Sequence, residues 1–350
     1  MLLIDGVSAC RAPSAAQSLT GEAQCKIALL LPETKTARYE TQDLPNFKNR
    51  LKELGFDEQY LIYNNANQDA ATQQQQAEAA LTNGANVLVL DPVDSDAAAK
   101  IADLAKSKDV PVIAYDRLIK GSDGVTYYIS FDNEHVGRLQ GSALVTALAG
   151  KIHPTIVMIN GSPTDNNATL FKRGAHAVLD SKVIIAKEYD TPDWSPDKAQ
   201  REMEQALTTL NNQVDGVYAA NDGTAGGAIA AMKAAGIQPL PPVTGQDAEL
   251  AAIQRILAGE QYMTVYKAIK PEADAAAELA YALCYGEKPD ESKVNDRVNN
   301  GKIDVASILL TPVSVRQDNV MQTVVADRFW SVEQICTADF KDYCNAAGIK

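Results

Sequence analysis

Short apolar runs alternate along this chain with longer stretches in which apolar residues recur every three or four positions. Residues 26–31 (KIALLL) read as a buried strand, and residues 46–55 as a helix with Phe47, Leu51 and Leu54 on one side. Strands at 61–63, 87–90 and 112–114 then alternate with helices at 72–81 and 96–105, and the last strand runs into Tyr115, Asp116 and Arg117. A strand at 127–131 turns into a helix carrying Val136, Leu139, Ala143 and Ala147. After that the alternation restarts. Strands at 156–159, 183–186 and 217–219 are interleaved with a helix opened by GSPTDNNATLF and another over 198–210.

The pattern is clearest between residues 214 and 247. Val217, Tyr218 and Ala219 form a strand, Asn221-Asp222-Gly223 supplies turn chemistry, and Ile229 and Met232 lie on a helix that Gly236 can end. PPVTG predicts the next strand, ending in Gln246 and Asp247 before a helix with Leu250, Ile253, Ile256 and Leu257 on one face. Asn221 and Asp247 thus fall at neighbouring strand ends, where ligands bind in open α/β sheets. Asp222 reads as a helix cap. The last quarter holds a strand at 263–266, an alanine-rich helix at 271–285, a polar stretch, a strand at 305–310 and a strand-like segment from Thr311. One helix and two strands are too little for a domain of their own. They are expected to complete the two earlier sheets, which makes both domains discontinuous.

Composition narrows the class. The chain has 350 residues, enough for two domains, and its 46% apolar and 22% charged residues suit a globular protein with ample core. A formal net charge of -13 argues against a nucleic-acid partner, because neutralising phosphates needs a basic surface. No apolar run approaches the ~20 residues that cross a bilayer. At the N-terminus MLLIDGVSAC lacks the basic start and long apolar core of a secretory signal, yet Val7-Ser8-Ala9-Cys10 is similar to a lipobox, which makes Cys10 a lipidation candidate. The polar residues that follow suit a tether. If Cys10 carries lipid, four cysteines remain, an even number that suits an oxidising exterior. Cys336 and Cys344 are close enough to bridge across the short tail; Cys25 and Cys284 either pair or are simply buried. No zinc or calcium spacing is present, and His135, His153 and His176 lack Ser or Cys partners at a catalytic spacing.

Polar residues at predicted strand ends and the adjoining loops supply the candidate chemistry: Arg38, Asp116, Arg117, Asp165, Asn167, Asn221, Asp247 and Lys267, with Trp194 in the loop TPDWSPD. Carboxylates accept hydrogen bonds, cationic groups donate them and amides do both, so the set can saturate a ring of hydroxyls. An aromatic plane can cover the C–H face of a pyranose. A phosphate ligand would call for a glycine-rich amide cradle, and GxGxxG is absent. No cofactor is implied.

Residues 115–119 (YDRLI), 128–137 (YISFDNEHVG), 161–168 (GSPTDNNA), 220–228 (ANDGTAGGA), 245–248 (GQDA), 263–267 (MTVYK) and 309–312 (LLTP) resemble, in the same order, segments of the type I periplasmic solute-binding proteins of sugar ABC transporters. The likeness is greatest to their D-xylose- and multiple-sugar-binding branch and spans residues 26–328. It implies an α/β fold of two Rossmann-like parallel-sheet domains joined by a three-segment hinge. The lobes implied are 26–131 plus 266–310 and 132–265 plus 311–335, flanked by a signal remnant or tether at 1–25 and a tail at 336–350. The hinge crossings are expected near Phe131-Asp132, Val265-Tyr266 and Leu310-Thr311. All nine residues named above match ligand-holding positions of that family, while Tyr39 stands where the family pattern has tryptophan. The implied protein is an exported monomer, periplasmic or anchored outside the cell membrane. It would close on one monosaccharide, D-xylose or a related aldopyranose, and deliver it to a membrane permease.

Two other classes compete, besides a sugar sensor for chemotaxis or signalling. A glycosidase would use two of Asp116, Asp165 and Asp247 as acid and base, but Arg117 and Lys267 are expected to keep their neighbours ionised and poor as general acids. A sugar-responsive regulator of the same fold would need a DNA-binding domain ahead of residue 26, where only a short polar segment stands. The two tryptophans are expected to differ, with Trp194 in the cleft and Trp330 remote from every ligand group.

Overall fold

A computed structural model describes residues 24–349. In chain order the first half contains β1 (Ile27–Leu31), α1 (Leu44–Glu53), β2 (Leu61–Asn65), α2 (Ala70–Thr82), β3 (Val87–Leu90), α3 (Ala99–Lys106), β4 (Val112–Tyr115) and β5 (Val125–Phe131). The second contains α4 (Asn133–Ala147), β6 (Thr155–Asn160), α5 (Asn166–Leu179), β7 (Ile184–Asp190), α6 (Pro196–Thr209), β8 (Gly216–Ala219), α7 (Asp222–Ala234), α8 (Leu250–Leu257) and β9 (Thr264–Tyr266). The chain continues through α9 (Ile269–Cys284), β10 (Asp296–Asn299), β11 (Asp304–Leu310), β12 (Val313–Val315), α10 (Val332–Ile335) and α11 (Lys341–Ala346).

The strands assemble as the apolar runs require. One sheet has the order β10-β11-β5-β4-β3-β1-β2, parallel except where β10 meets β11. Both faces of its central strands are buried, so β1, β3 and β4 read as unbroken apolar runs. Ile27, Leu29 and Leu31 point with Val87 and Val89 into a core shared with α1 and α9, whereas Ala28, Leu30, Leu88 and Leu90 face α2 and α3. In the second sheet β7-β6-β8 are parallel, with α4 and α5 over one face and α6 and α7 over the other. Beyond β8 the segment expected as a full strand forms only an isolated bridge, Val217 to Val243; Gln246 then bridges Val265, and β9 pairs antiparallel with β12. Pro241 and Pro242 explain the weak pairing, because neither has an N–H to give a ladder.

The chain passes between the sheets after Phe131, after Tyr266 and after Leu310. The middle passage falls at Lys267 and Ala268, one or two residues beyond the Val265-Tyr266 expectation, since Val265 and Tyr266 are still paired to β12. The polar stretch after α9 conceals β10, an exposed edge strand (DRVN) with no apolar alternation to betray it.

Two disulfides are formed. Cys336 and Cys344 are bonded, and so are Cys25 and Cys284, which ties the residues before β1 to the last turn of α9. The tail is not a separate appendage. Ile335, Cys344 and Ile349 are buried in one cluster with Phe131, Tyr266 and Val315. Cys10 lies outside the described residues.

Candidate functional site

The carboxyl ends of strands from both sheets converge on one cavity with about 260 Å³ of atom-free space. Its walls include all nine candidate residues, together with Thr36, Tyr39, Phe171 and Gln246. A larger depression on the second half, beside Leu240, Pro242, Tyr262 and Arg316, is an open groove that contains none of the nine.

Asp116 follows β4 with φ 54°, a left-handed conformation that aspartate tolerates better than most residues. Its Oδ2 accepts from the Tyr39 hydroxyl at 3.1 Å and lies 3.3 Å from Arg38 Nη2, and its Oδ1 accepts from Lys267 Nζ at 3.4 Å. Burial alone would raise this carboxyl, but Arg38, Lys267 and Arg117 together hold it well below the usual carboxylate range. Arg117 Nε sits 2.9 Å from Asp165 Oδ2, and its Nη2 donates to the Tyr39 hydroxyl at 3.1 Å. For Asp165 the balance reverses. Burial raises its carboxyl although Arg117 opposes, so the single cation beside Asp165 does not prevail as the three around Asp116 do.

The second half contributes from the ends of β6, β7, β8 and β9. Asp165 caps α5 by accepting the Asn167 N–H at 2.8 Å, and Trp194 Nε1 donates to Asp165 Oδ2 at 3.1 Å. Asn167 Nδ2 donates to the Asp116 carbonyl at 3.0 Å, crossing between the halves, while its Oδ1 accepts from Asn133 at 2.9 Å. Asn221 does two jobs at once: it caps α7, its Oδ1 accepting the Thr224 N–H at 2.9 Å, and it lines the cavity. Asp222 is no cap. Its buried carboxylate accepts from Gln261, from the Glu249 N–H and from Thr264, and so fastens the loop that carries Gln246 and Asp247. Asp247 lies 3.8 Å from Arg38 Nη1 and 3.6 Å from Lys267 Nζ.

Behind the wall stand further buried carboxyls. Asp43 accepts from Arg38 at 3.0 and 3.1 Å, and Glu272 lies 3.6 Å from the same guanidinium. Burial pushes Asp43, Asp91 and Glu272 upward. Tyr39 does not offer a clear ring face, since both guanidinium carbons lie over it, Arg38 at 4.9 Å and Arg117 at 5.7 Å. Trp194 is buried, edge-on to Phe171.

Two cavity residues escaped the motif reading. Phe171 sits one helical turn after Asn167 on α5, so i,i+4 spacing was the signal for it. Thr36 lies in the first loop, where no periodicity marks it. Trp330 is nearer than expected, because its Nε1 donates at 2.7 Å to the carbonyl of Ala248, next to Asp247. Among the described residues no group of His, Cys, Asp and Glu is placed to hold a metal ion, and no helix is long and apolar enough to cross a membrane.

Comparison with known proteins places this geometry in context. The model of a periplasmic binding protein domain matches residues 27–288. The D-xylose-binding periplasmic protein of Escherichia coli (strain K12) is 39% identical over 311 residues, covering 87% of this chain and 91% of that protein. A multiple sugar-binding periplasmic receptor of Rhizobium radiobacter is 33% identical, covering 88% and 92%. The crystal structure of a carbohydrate transporter solute-binding protein from Chloroflexus aurantiacus, in complex with D-glucose, is similar at TM-score 0.81 and 30% identity, covering 89% of this chain and 98% of that one.

Proposed function

This chain belongs to the type I periplasmic binding protein family, a family of solute-binding rather than catalytic proteins, and from that premise we propose that it closes on one neutral monosaccharide and hands it to a sugar ABC importer. The observation that carries the reading is the convergence of the nine polar and aromatic residues, from both sheets, on a single buried cavity. Three cations line it (Arg38, Arg117, Lys267) and three carboxylates (Asp116, Asp165, Asp247), a balance that favours an uncharged polyol over a sugar acid or phosphate. The wall holds both donors and acceptors, as a ring of hydroxyls demands. D-xylose or a related aldopyranose leads, in line with the relatives above.

In this reading the lobes are residues 26–131 with 267–310 and residues 132–266 with 311–349, the middle boundary and the tail placed by the pairing of Tyr266 with β12 and the packing of Cys344 and Ile349, and they close about the three passages between the sheets. The ion pairs from Arg117 to Asp165 and from Arg38 to Asp247 join the two sides across the cavity. The protein works outside the cytoplasm, periplasmic or anchored on the outer face of the membrane, and its two disulfides suit that compartment. A thermal-shift panel of monosaccharides, followed by calorimetry on Asn221→Ala and Asp247→Ala, tests the proposal. Each substitution leaves sugar hydroxyls unpaired at ~1–3 kcal/mol apiece, so affinity falls at least about tenfold. Unchanged affinity in both variants removes these strand ends from the site.

A further inference from the structure

Gln246 lies at the junction of two tightly held backbone segments. Its carbonyl accepts the Asp222 N–H at 2.9 Å, and the residue bridges Val265, so only the side chain is left to respond to a ligand. That side chain lines the cavity and is 3% exposed. Its Nε2 donates to Asp247 Oδ1 at 3.2 Å. An ionised carboxylate only accepts, so the amide nitrogen must face Asp247 and the amide oxygen is turned away from it. The oxygen, Oε1, is buried without a partner. Arg38 Nη1, 3.8 Å from the same Asp247 oxygen, is likewise a buried donor without a hydrogen bond. One orphan acceptor and one orphan donor thus flank a single carboxylate oxygen on the cavity wall. Buried polar atoms of this kind are rare unless a ligand or water completes them.

We propose that Gln246 is a tenth ligand-binding residue, which reads one sugar hydroxyl by accepting its hydrogen at Oε1 while Arg38 Nη1 donates to the same hydroxyl. A hydroxyl meets both demands at once; a C–H at that position meets neither. An epimer that turns this hydroxyl away leaves two buried groups unpaired, so Gln246 discriminates among sugars as well as holding them.

The inference rests on the monosaccharide reading and is tested on the whole chain by calorimetry with the best sugar of the panel and each of its single epimers. Gln246→Met keeps length and volume without the amide. Affinity for the best sugar is expected to fall at least tenfold, with the ratio between that sugar and one epimer shrinking at least fivefold. Gln246→Ala is expected to show the same collapse of that ratio, and either variant that melts cooperatively suffices. Equal loss for all the sugars means that Gln246 only positions Asp247 and overturns the proposal, as does wild-type affinity in the Met variant. If the unmodified chain binds no monosaccharide, the function proposed above falls together with this inference; if it binds and Gln246→Met binds equally well, only this inference falls.

Discussion

Gly161, just beyond the end of β6, offers a test that needs only the position of one ring. A Cβ built there would lie 1.9 Å from Trp194 Cη2, 2.3 Å from Cζ2 and 2.4 Å from Cζ3. Carbon atoms pack best at ~3.5–4.0 Å, so the indole of a Gly161→Ala variant must retreat by about 1.5 Å or more. Gly161 is outside the left-handed region, so alanine strains no backbone and the effect is purely steric. The retreat stretches the 3.1 Å bond from Trp194 Nε1 to Asp165 and disturbs the edge contact with Phe171. Overpacking of this kind costs about 1–3 kcal/mol, which should appear as a lower Tm of the ligand-free chain. The displaced indole also loses its packing on the sugar, an aromatic contact of about 0.5–1.5 kcal/mol, which corresponds to an affinity drop of roughly two- to tenfold. Calorimetry with the preferred sugar measures the second quantity, and a thermal melt the first. Trp194→Phe supplies the control, because phenylalanine lacks the benzo ring that alanine strikes; in that background Gly161→Ala should cost much less than it does alone. Wild-type affinity in Gly161→Ala, or full additivity of the two substitutions, would refute the packing argument.

Two other outcomes follow from features away from the cavity. His176 on α5 sits 2.7 Å from Asp180 and 3.1 Å from Glu188; burial opposes its charge, but these two partners prevail and raise its pKa. The folded value therefore exceeds the unfolded one, so the stabilisation is complete below about pH 6.5 and is lost as pH rises through the folded pKa. His176→Gln should lower Tm near pH 6 and leave it nearly unchanged near pH 9; an equal loss at both would show that the charge is irrelevant. The Cys336–Cys344 bridge closes a loop of separation 8, for which chain entropy predicts about 2–3 kcal/mol. Replacing both cysteines with serine should speed amide exchange in α10 and α11 while β1 and β3 keep their protection, and unchanged exchange in the tail would disprove the role assigned to the bridge.

Strand identity was legible because both faces of the first sheet are covered, so that IALLL and VLVL carry no polar residue to confuse the reading. Asn221 and Asp247 were legible because their strands end in polar groups. What escaped the sequence depends on contacts that no local pattern encodes. Asp222 resembled a cap, yet its partners Glu249, Gln261 and Thr264 come from 27 to 42 residues downstream. Trp330 is brought to Ala248 across 82 positions by the packing of the tail. Gln246 stood in plain view beside Asp247, but only the folded chain shows that its oxygen lacks a partner. The sign of the Asp165 shift likewise turns on burial, which charge spacing alone does not report.

The bond between Cys25 and Cys284 also has a mechanical meaning. Tension applied at the two ends of the chain runs from Cys25 through the sulfurs to Cys284 and on through the last 66 residues, without loading anything between. Arg38, Lys267 and every candidate ligand residue between them lie in that bypass. A chain tugged by a tether ahead of Cys25 would strain the segment after Cys284 and the strands β10 to β12 first. The loops that grip the solute would hang slack beside the line of force.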